Sequence, residues 1–133
     1  TARLLYTGNA GTQTAALAFG SETPPSALNE SWNGTSWTEV GDLNTARAVA
    51  GTGTSTAALA FGGSADGNDN LVELWNGTAW AEQNDLSVGR VQRGQAGTTS
   101  SALAFGGGAS TRMSAATEEW NAPTETSETI TTS

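Results

Sequence analysis

The 133-residue chain carries 13 acidic and 5 basic side chains, which gives it a formal net charge of −8 at neutral pH. All five basic residues are Arg, and the basic stripe that a nucleic-acid binder needs to neutralise phosphates is absent, which argues against that class of partner. Neither Cys nor His occurs, which removes disulfides, thiolate sites and the commonest general base and metal ligand. No run of about 18 apolar residues is present, so no membrane span is expected.

Aromatic residues recur along the chain at a nearly constant interval. Phe19, Phe61 and Phe105 each end an Ala-Leu-Ala-Phe sequence, and they lie 42 and 44 residues apart. Further series repeat at 43 to 45 residues: Trp32, Trp75 and Trp120; Trp37 and Trp80; Arg3, Arg47 and Arg90. A period in the forties predicts a solenoid, a propeller or an array of repeated units.

Each repeat contains four short runs separated by turn signals, and each run has the length of a typical strand. The dipeptides Asn33-Gly34 and Asn76-Gly77, between the third and fourth runs, are typical of two-residue hairpins. Each repeat is therefore predicted to be a four-stranded antiparallel meander. The predicted strands are 4–9, 14–20, 27–33 and 36–40; 47–52, 56–62, 70–76 and 79–83; and 90–96, 100–107, 114–121 and one within 125–131.

The tail of the third repeat is rich in Thr, Ser and Glu, and two interpretations of it stay open. Residues 124–133 form either an exposed outer strand, which the β propensity of Thr129-Ile130-Thr131 favours, or a frayed end. The beginning of the chain is also informative, because Thr1-Ala2-Arg3 matches Thr45-Ala46-Arg47 and no initiator Met precedes it. We therefore expect the chain to be a piece of a longer protein.

The order of motifs within a repeat resembles the kelch repeat. The second repeat has Phe61-Gly62-Gly63, then Glu73-Leu74-Trp75, then Trp80, and finally Arg90. The kelch family has a strand ending in a double glycine, an acidic and aromatic third strand, a Trp opening the fourth strand and an Arg leading into the next unit. The amino-acid sequences of the repeats are also similar to kelch-like repeats of marine bacteriophage and metagenomic proteins.

The resemblance implies an all-β fold of three four-stranded propeller blades, at about 1–44, 45–87 and 88–133 of a single repeat domain. The sequence departs from the kelch pattern at two places. Gly20-Ser21 replaces the first double glycine, and Asn121-Ala122-Pro123 replaces the third hairpin signal. Blades stack their flat apolar faces, and the aromatic series is expected to fill those interfaces. The residues assigned to this packing are Phe19, Phe61, Phe105, Trp32, Trp75, Trp120, Trp37 and Trp80.

Three blades make half a ring, and the end blades would expose large apolar faces. Because propellers close with about four to eight blades, a second chain is expected to complete a ring of six blades in a homodimer. The alternative is that the parent chain contributes further blades.

An Arg lies at each junction between one repeat and the next, at Arg3, Arg47 and Arg90. In a closed ring they would recur around the mouth of the channel and could hold a carboxylate, a sulfate or an acidic glycan. The alternative is that each Arg ties neighbouring repeats together by pairing with a repeated acid. The acids considered for this pairing are Asp42, Asp85, Glu39 and Glu82.

The loop Asp66 to Asn70 has acids and amides at alternate positions, as in the first half of a calcium loop. It lacks the Gly at position six and the later bidentate Glu, so a plain loop is favoured, and neither a metal nor a cofactor is expected. The loops that follow the second strand of each repeat differ wholly from one another, which suits either a binding face carried on loops or neutral drift.

No singular set of nucleophile, base and orienting group occurs, which argues against an enzyme; a sialidase-type propeller enzyme is the least favoured reading. The favoured hypothesis is a non-catalytic recognition or assembly module, associated with a virion or fibre and binding a host-surface glycan or protein. The alternative is a purely structural, self-associating repeat. The lack of Lys and the abundance of Thr, Ser, Ala and Gly suit an extracellular or virion-exposed surface.

Overall fold

A computed structural model of the chain describes residues 7–64, 69–91, 94–109, 112–113 and 115–122. Within these ranges all regular elements are β-strands and no helix occurs, which confirms the all-β prediction. It follows that no described segment forms a helix long and apolar enough to cross a membrane. The strand predicted within 125–131 lies outside the described residues.

Eleven of the strands form three successive antiparallel sheets in chain order, and the other two form a separate two-stranded sheet. The first sheet contains β1 (Gly8–Thr12), β2 (Ala15–Ser21), β3 (Ser26–Trp32) and β4 (Trp37–Val40). The second contains β5 (Ala48–Gly53), β6 (Ala58–Ser64), β7 (Val72–Trp75) and β8 (Trp80–Glu82). The third contains β9 (Gly94–Gly97), β10 (Ser101–Phe105) and β13 (Thr117–Asn121), and a small hairpin of β11 (Gly108–Ala109) and β12 (Arg112–Met113) precedes β13.

The first strand of the first sheet continues to Thr12, where the sequence predicted an end at residue 9. The cause is a repeated glycine: Gly11, Gly53 and Gly97 occupy equivalent places and have φ angles of 112°, 114° and 122°. A side chain at any of them would overlap the backbone of the following strand. This glycine, which no motif in the sequence analysis had singled out, lets the first and second strands of every sheet pair up to a tight turn.

The hairpin between the third and fourth strands also repeats. In the first sheet the Asn33 N–H donates to the Ser36 carbonyl, so the residues between them are Gly34 and Thr35, which are the two residues between the predicted strands. Gly34 has a φ of 93°. The Asn33 side-chain oxygen accepts from the N–H groups of Thr35 and Ser36 at 3.0 and 2.9 Å. The same contacts recur at Asn76, which explains the Asn-Gly repeat as turn chemistry.

The three sheets pack face against face, and each interface uses opposite faces of neighbouring sheets. Leu17 and Phe19 of the first sheet pack against the face of the second sheet that carries Trp75 and Trp80, and the Phe19 and Trp80 rings lie 4.7 Å apart. The other face of the second sheet packs against the third sheet. The buried residues of this second interface, from both sheets and the linker between them, are Leu59, Phe61, Val72, Leu86, Ala102, Ala104 and Trp120.

The closest approach between sheets is made by their first strands. Strand β1 lies against β5, and β5 lies against β9. The Thr52 hydroxyl of β5 donates to the Gly97 carbonyl of β9 at 2.8 Å. A side chain at Gly51 would overlap the Phe19 ring of the preceding sheet, so the backbones of neighbouring first strands are held close together.

Because every sheet is an antiparallel meander, its connections divide between two ends of the stack. One end, here called the hairpin end, carries the tight turns between first and second strands and between third and fourth strands. The other, here called the loop end, carries the connections between second and third strands and the linkers between sheets. The described linkers cover residues 41–47 and 83–91.

Candidate functional site

The linker into the second sheet is fixed by a buried ion pair at the loop end. The Arg47 guanidinium and the Glu73 carboxylate lie 2.5 Å apart, with side-chain exposures of 0% and 1%. Arg47 also donates to the carbonyls of Gly62 and Thr45 at 2.8 and 3.1 Å. The second oxygen of Glu73 accepts from the backbone N–H and the side-chain amide of Asn44 at 2.8 and 2.9 Å. We call these residues the Arg47 cluster.

The linker into the third sheet has an equivalent arrangement. Arg90 contacts Glu118 at 3.0 Å, and it donates to the carbonyls of Gly106 and Ala116 at 3.1 and 2.5 Å. Glu118 accepts from the Ser87 N–H and hydroxyl at 2.7 and 2.5 Å. Ser87 stands in the place of Asn44. We call these residues the Arg90 cluster, and each cluster attaches a linker to the third strand of the sheet that follows.

The protonation of Glu118 is set by this cluster. Partial burial by itself raises the pKa of Glu118 because it disfavours the charged form, but the hydrogen bonds from Ser87 and Arg90 and the charge of Arg90 act the other way. Their combined effect is larger, so the pKa of Glu118 lies below its ordinary value. The carboxylate form is therefore the one that the folded chain stabilises.

Arg47 and Arg90, two of the three residues considered for ligand binding, have no exposed surface. Their guanidinium groups are committed to the two clusters, so neither offers an accessible cation to a ligand. Arg3 lies outside the described residues.

The acids expected as structural partners of these arginines are different from those found. Asp42 accepts from the Asn29 backbone N–H at 3.2 Å, and Asp85 accepts from the Asn70 side-chain amide at 3.2 Å. The actual partners, Glu73 and Glu118, lie on third strands. With Glu30 they form a series spaced by 43 and 45 residues, a repeat signal that the sequence analysis had not used.

The aromatic residues assigned to packing divide by their place in the stack. Phe19 and Phe61 are fully buried, and Trp75, Trp80 and Trp120 are 2%, 5% and 8% exposed. All five lie in the two interfaces between sheets. The other three lie on outer faces or at their margins: Trp37 is 49% exposed, Phe105 is 40% exposed and Trp32 is half-buried.

Two outer faces remain without a neighbouring sheet among the described residues. The outer face of the first sheet carries Ala16, Ala18, Trp32 and Trp37, which share a face because Ala16 pairs with Trp32 and Trp32 with Trp37. The outer face of the third sheet carries Leu103 and Phe105, each 40% exposed. We call these the Trp face and the Leu/Phe face.

The loop end and the hairpin end differ in how far they repeat. At the hairpin end the indole N–H groups of Trp32, Trp75 and Trp120 donate to the carbonyls of equivalent turn residues, at 3.0, 3.1 and 3.3 Å. At the loop end the first sheet carries a short Pro-containing turn over residues 22–25, whereas the third sheet carries the β11–β12 hairpin. The scaffold is therefore uniform at one end and diverse at the other.

Two other places carry acidic and amide side chains close together in the sequence or the structure. No group of three or more acidic, His or Cys side chains is placed to hold a metal ion within the described residues. Residues 66–68 of the calcium-like loop lie outside them. A groove of about 310 Å³ runs along β13 and is lined by Asn84, Asp85, Leu86, Glu118, Glu119, Trp120 and Asn121. One of its three acids, Glu118, belongs to the Arg90 cluster.

A scan against protein-family models gave no match to the chain, and a search of curated proteins gave no significant similarity to its sequence.

Proposed function

We propose that the three sheets are blades of a kelch-like β-propeller that serves as a non-catalytic recognition and assembly module. Support for the blade assignment comes from the packing order, because the sheets follow one another in chain order and approach most closely at their first strands. A fan of meanders converging on their first strands is the arrangement expected around a central channel.

The observation that carries the recognition role is the difference between the two ends of the stack. The hairpin end repeats its turn contacts in each sheet, which keeps the scaffold constant. The loop end places dissimilar connections side by side on that rigid support. Binding residues are commonly carried on variable loops that a rigid scaffold positions. The ligand class we propose is a glycan or protein of a host cell surface, recognised at the loop end by residues other than Arg47 and Arg90.

The recognition role is tested with a glycan array probed by the purified chain and by two matched double variants. Thr23→Lys with Asn84→Lys places two long cations on exposed loop-end positions. Thr35→Lys with Thr78→Lys places the same cations on exposed turns of the hairpin end. We expect the loop-end variant to lose at least about tenfold in apparent affinity, since its side chains obstruct the bound glycan, while the hairpin-end variant binds like the parent.

Equal binding by both variants would overturn the loop-end assignment. Both variants are first compared with the parent by circular dichroism and thermal unfolding, so that a loss of fold is not mistaken for a loss of binding. Thermal midpoints within a few degrees of the parent establish that comparison, because exposed substitutions alter stability by about 0.5 kcal/mol or less.

A second candidate function is self-association without any ligand. It is favoured by the exposure of Trp37 and Phe105, since exposed apolar faces of repeat units commonly mark interaction surfaces. A chain that binds no array component yet forms a stable closed assembly would favour this candidate over recognition.

A further inference from the structure

We infer that the Trp face and the Leu/Phe face are the two halves of one head-to-tail interface, and that the occupant of each is a second copy of this chain. This contact is separate from the proposed recognition role, because it is tested by measuring self-association of the chain and not by measuring ligand binding. It is carried by the two interfaces that already exist inside the chain.

In both internal interfaces the same kinds of face meet in the same order. The face with Leu17 and Phe19 packs against the face of the next sheet that carries Trp75 and Trp80. The face with Leu59 and Phe61 packs against the face of the third sheet that carries Trp120. A Leu/Phe face therefore always contacts the Trp-bearing face of the following sheet.

The outer faces carry equivalent residues, and no sheet of the described residues lies opposite them. Leu103 and Phe105 stand at the places of Leu17 and Phe19, and their exposure is 40% each, against 1% and 0% for the equivalent pair. Trp37 stands at the place of Trp80, and its exposure is 49%, against 5%. The residue types are the same, so the difference in exposure follows from whether another of the described sheets lies opposite.

One side of the Phe105 ring already packs against the backbone of its own sheet. A side chain at Gly94 would overlap the Phe105 ring, just as one at Gly8 would overlap the Phe19 ring. Both rings therefore lie on a first-strand glycine of their own sheet. Phe19 is in addition covered by the following sheet, where Gly51 lies against it, and the first sheet of a second copy would cover Phe105 in the same sense.

A self-complementary contact between two identical faces fits the observations less well. Neither internal interface brings two Leu/Phe faces or two Trp-bearing faces together. The contact is accordingly heterologous, and two such contacts between two copies would arrange six sheets in a closed ring.

The test measures the mass of the 133-residue chain and its variants by analytical ultracentrifugation over a dilution series. The parent is expected at about twice 13.4 kDa. Trp37→Glu removes the Trp face and Phe105→Glu removes the Leu/Phe face. Each is expected to weaken association by at least about 30-fold, the loss typical of a central interface residue.

Mixing the two variants is the decisive step. The Trp37→Glu chain keeps an intact Leu/Phe face and the Phe105→Glu chain keeps an intact Trp face, so an equimolar mixture retains one unaltered contact. We expect the mixture to form a one-to-one heterodimer that neither variant forms with itself. An interface between identical faces predicts no such rescue.

Val88→Glu is the matched control, because Val88 is an exposed apolar residue at 48% that lies in a linker and on neither outer face. It is expected to associate like the parent. Leu103→Glu is a second Leu/Phe-face variant that should behave as Phe105→Glu does, provided that circular dichroism shows the strand signal retained in each.

Three outcomes would overturn the inference: a parent chain that stays monomeric throughout the series, single variants that associate like the parent, and a mixture that shows no rescue. Assemblies larger than a dimer that obey the same rescue rule would support the head-to-tail contact and would overturn the closed six-sheet arrangement.

Discussion

Arg47 and Glu73 form an ion pair in which neither side chain has more than 1% exposure. The pair joins the start of one sheet to its third strand, and the same Glu73 carboxylate also holds the linker through Asn44. A buried charge that loses its partner is costly, because the protein interior cannot replace the lost interaction with water. The first prediction concerns this pair.

We expect Glu73→Gln to lower the free energy of unfolding by about 3 kcal/mol, since Arg47 would then be a buried cation without a counter-charge. Glu118→Gln should cost less, about 1 to 2 kcal/mol, because the Glu118 side chain is 18% exposed and water therefore screens part of its attraction to Arg90. Urea unfolding of both variants measures the difference. Equal losses would show that burial does not determine the strength of the two clusters.

The second prediction concerns pH. The pKa of Glu118 is lowered in the folded chain, so its contribution to stability is complete above the ordinary Glu pKa of about 4.3 and is lost as the pH falls through the lowered folded value. The stability difference between the parent and Glu118→Gln should therefore be largest near pH 7 and should shrink towards pH 3. Urea unfolding across this range tests it, and a difference that stays constant with pH would contradict it.

A third prediction uses two leucines at equivalent places. Leu59 is fully buried and Leu103 is 40% exposed. Leu59→Ala is expected to lower the free energy of unfolding by about 2 to 5 kcal/mol through lost burial and a cavity. In a monomeric background made with Trp37→Glu, Leu103→Ala should cost less than about 1 kcal/mol.

The same two leucine variants also bear on assembly. In the parent background Leu103→Ala is expected to weaken association, whereas Leu59→Ala acts on the fold within one chain. A Leu103→Ala variant that loses as much monomer stability as Leu59→Ala would mean that the outer face is already covered within a single chain.

The fourth prediction concerns the repeated turn glycine. Gly53 has a φ of 114°, and an added Cβ would overlap the Ala57 carbonyl oxygen. Gly53→Ala is expected to lower the unfolding free energy by about 3 kcal/mol or more. Gly106 has a φ of 67° with open space around the Cβ position, so Gly106→Ala should cost only about 1 to 2 kcal/mol. Thermal unfolding of the pair separates overlap from backbone strain.

The regular spacing of aromatic residues carried most of the fold prediction. Strands containing Phe61 and Trp75 were expected from the period and from their length, and both residues lie in strands. The spacing was informative because each repeat buries the same side chains against a neighbour, so selection for packing leaves a periodic trace.

The partners of the arginines were harder to predict. The acids considered first were near the arginines in the chain, whereas Glu73 and Glu118 reach them across the width of a sheet. Which of several repeated acids faces a given Arg depends on the strand register, and sequence spacing alone does not give the register. The series Glu30, Glu73 and Glu118 narrows the choice once the third strands are placed.

The exposure of Trp37 and Phe105 could not be predicted from their local sequence. Trp80 follows the same Asn-Gly-Thr sequence as Trp37, and Phe61 lies between the same Ala-Leu-Ala and Gly-Gly residues as Phe105, yet both are buried. Their burial depends on whether another sheet lies opposite. The location of a residue within the stack, and not its motif, determines its environment.

The direction in which the faces meet has a consequence for how such a chain changes length. In both interfaces the Leu/Phe face of one sheet packs on the Trp-bearing face of the next, so the stack is polar, with a Leu/Phe face at one end and a Trp face at the other. Duplication or deletion of one whole repeat would leave a Trp face at one end of the stack and a Leu/Phe face at the other. Proteins of this design would therefore vary their number of repeats without having to evolve new ends.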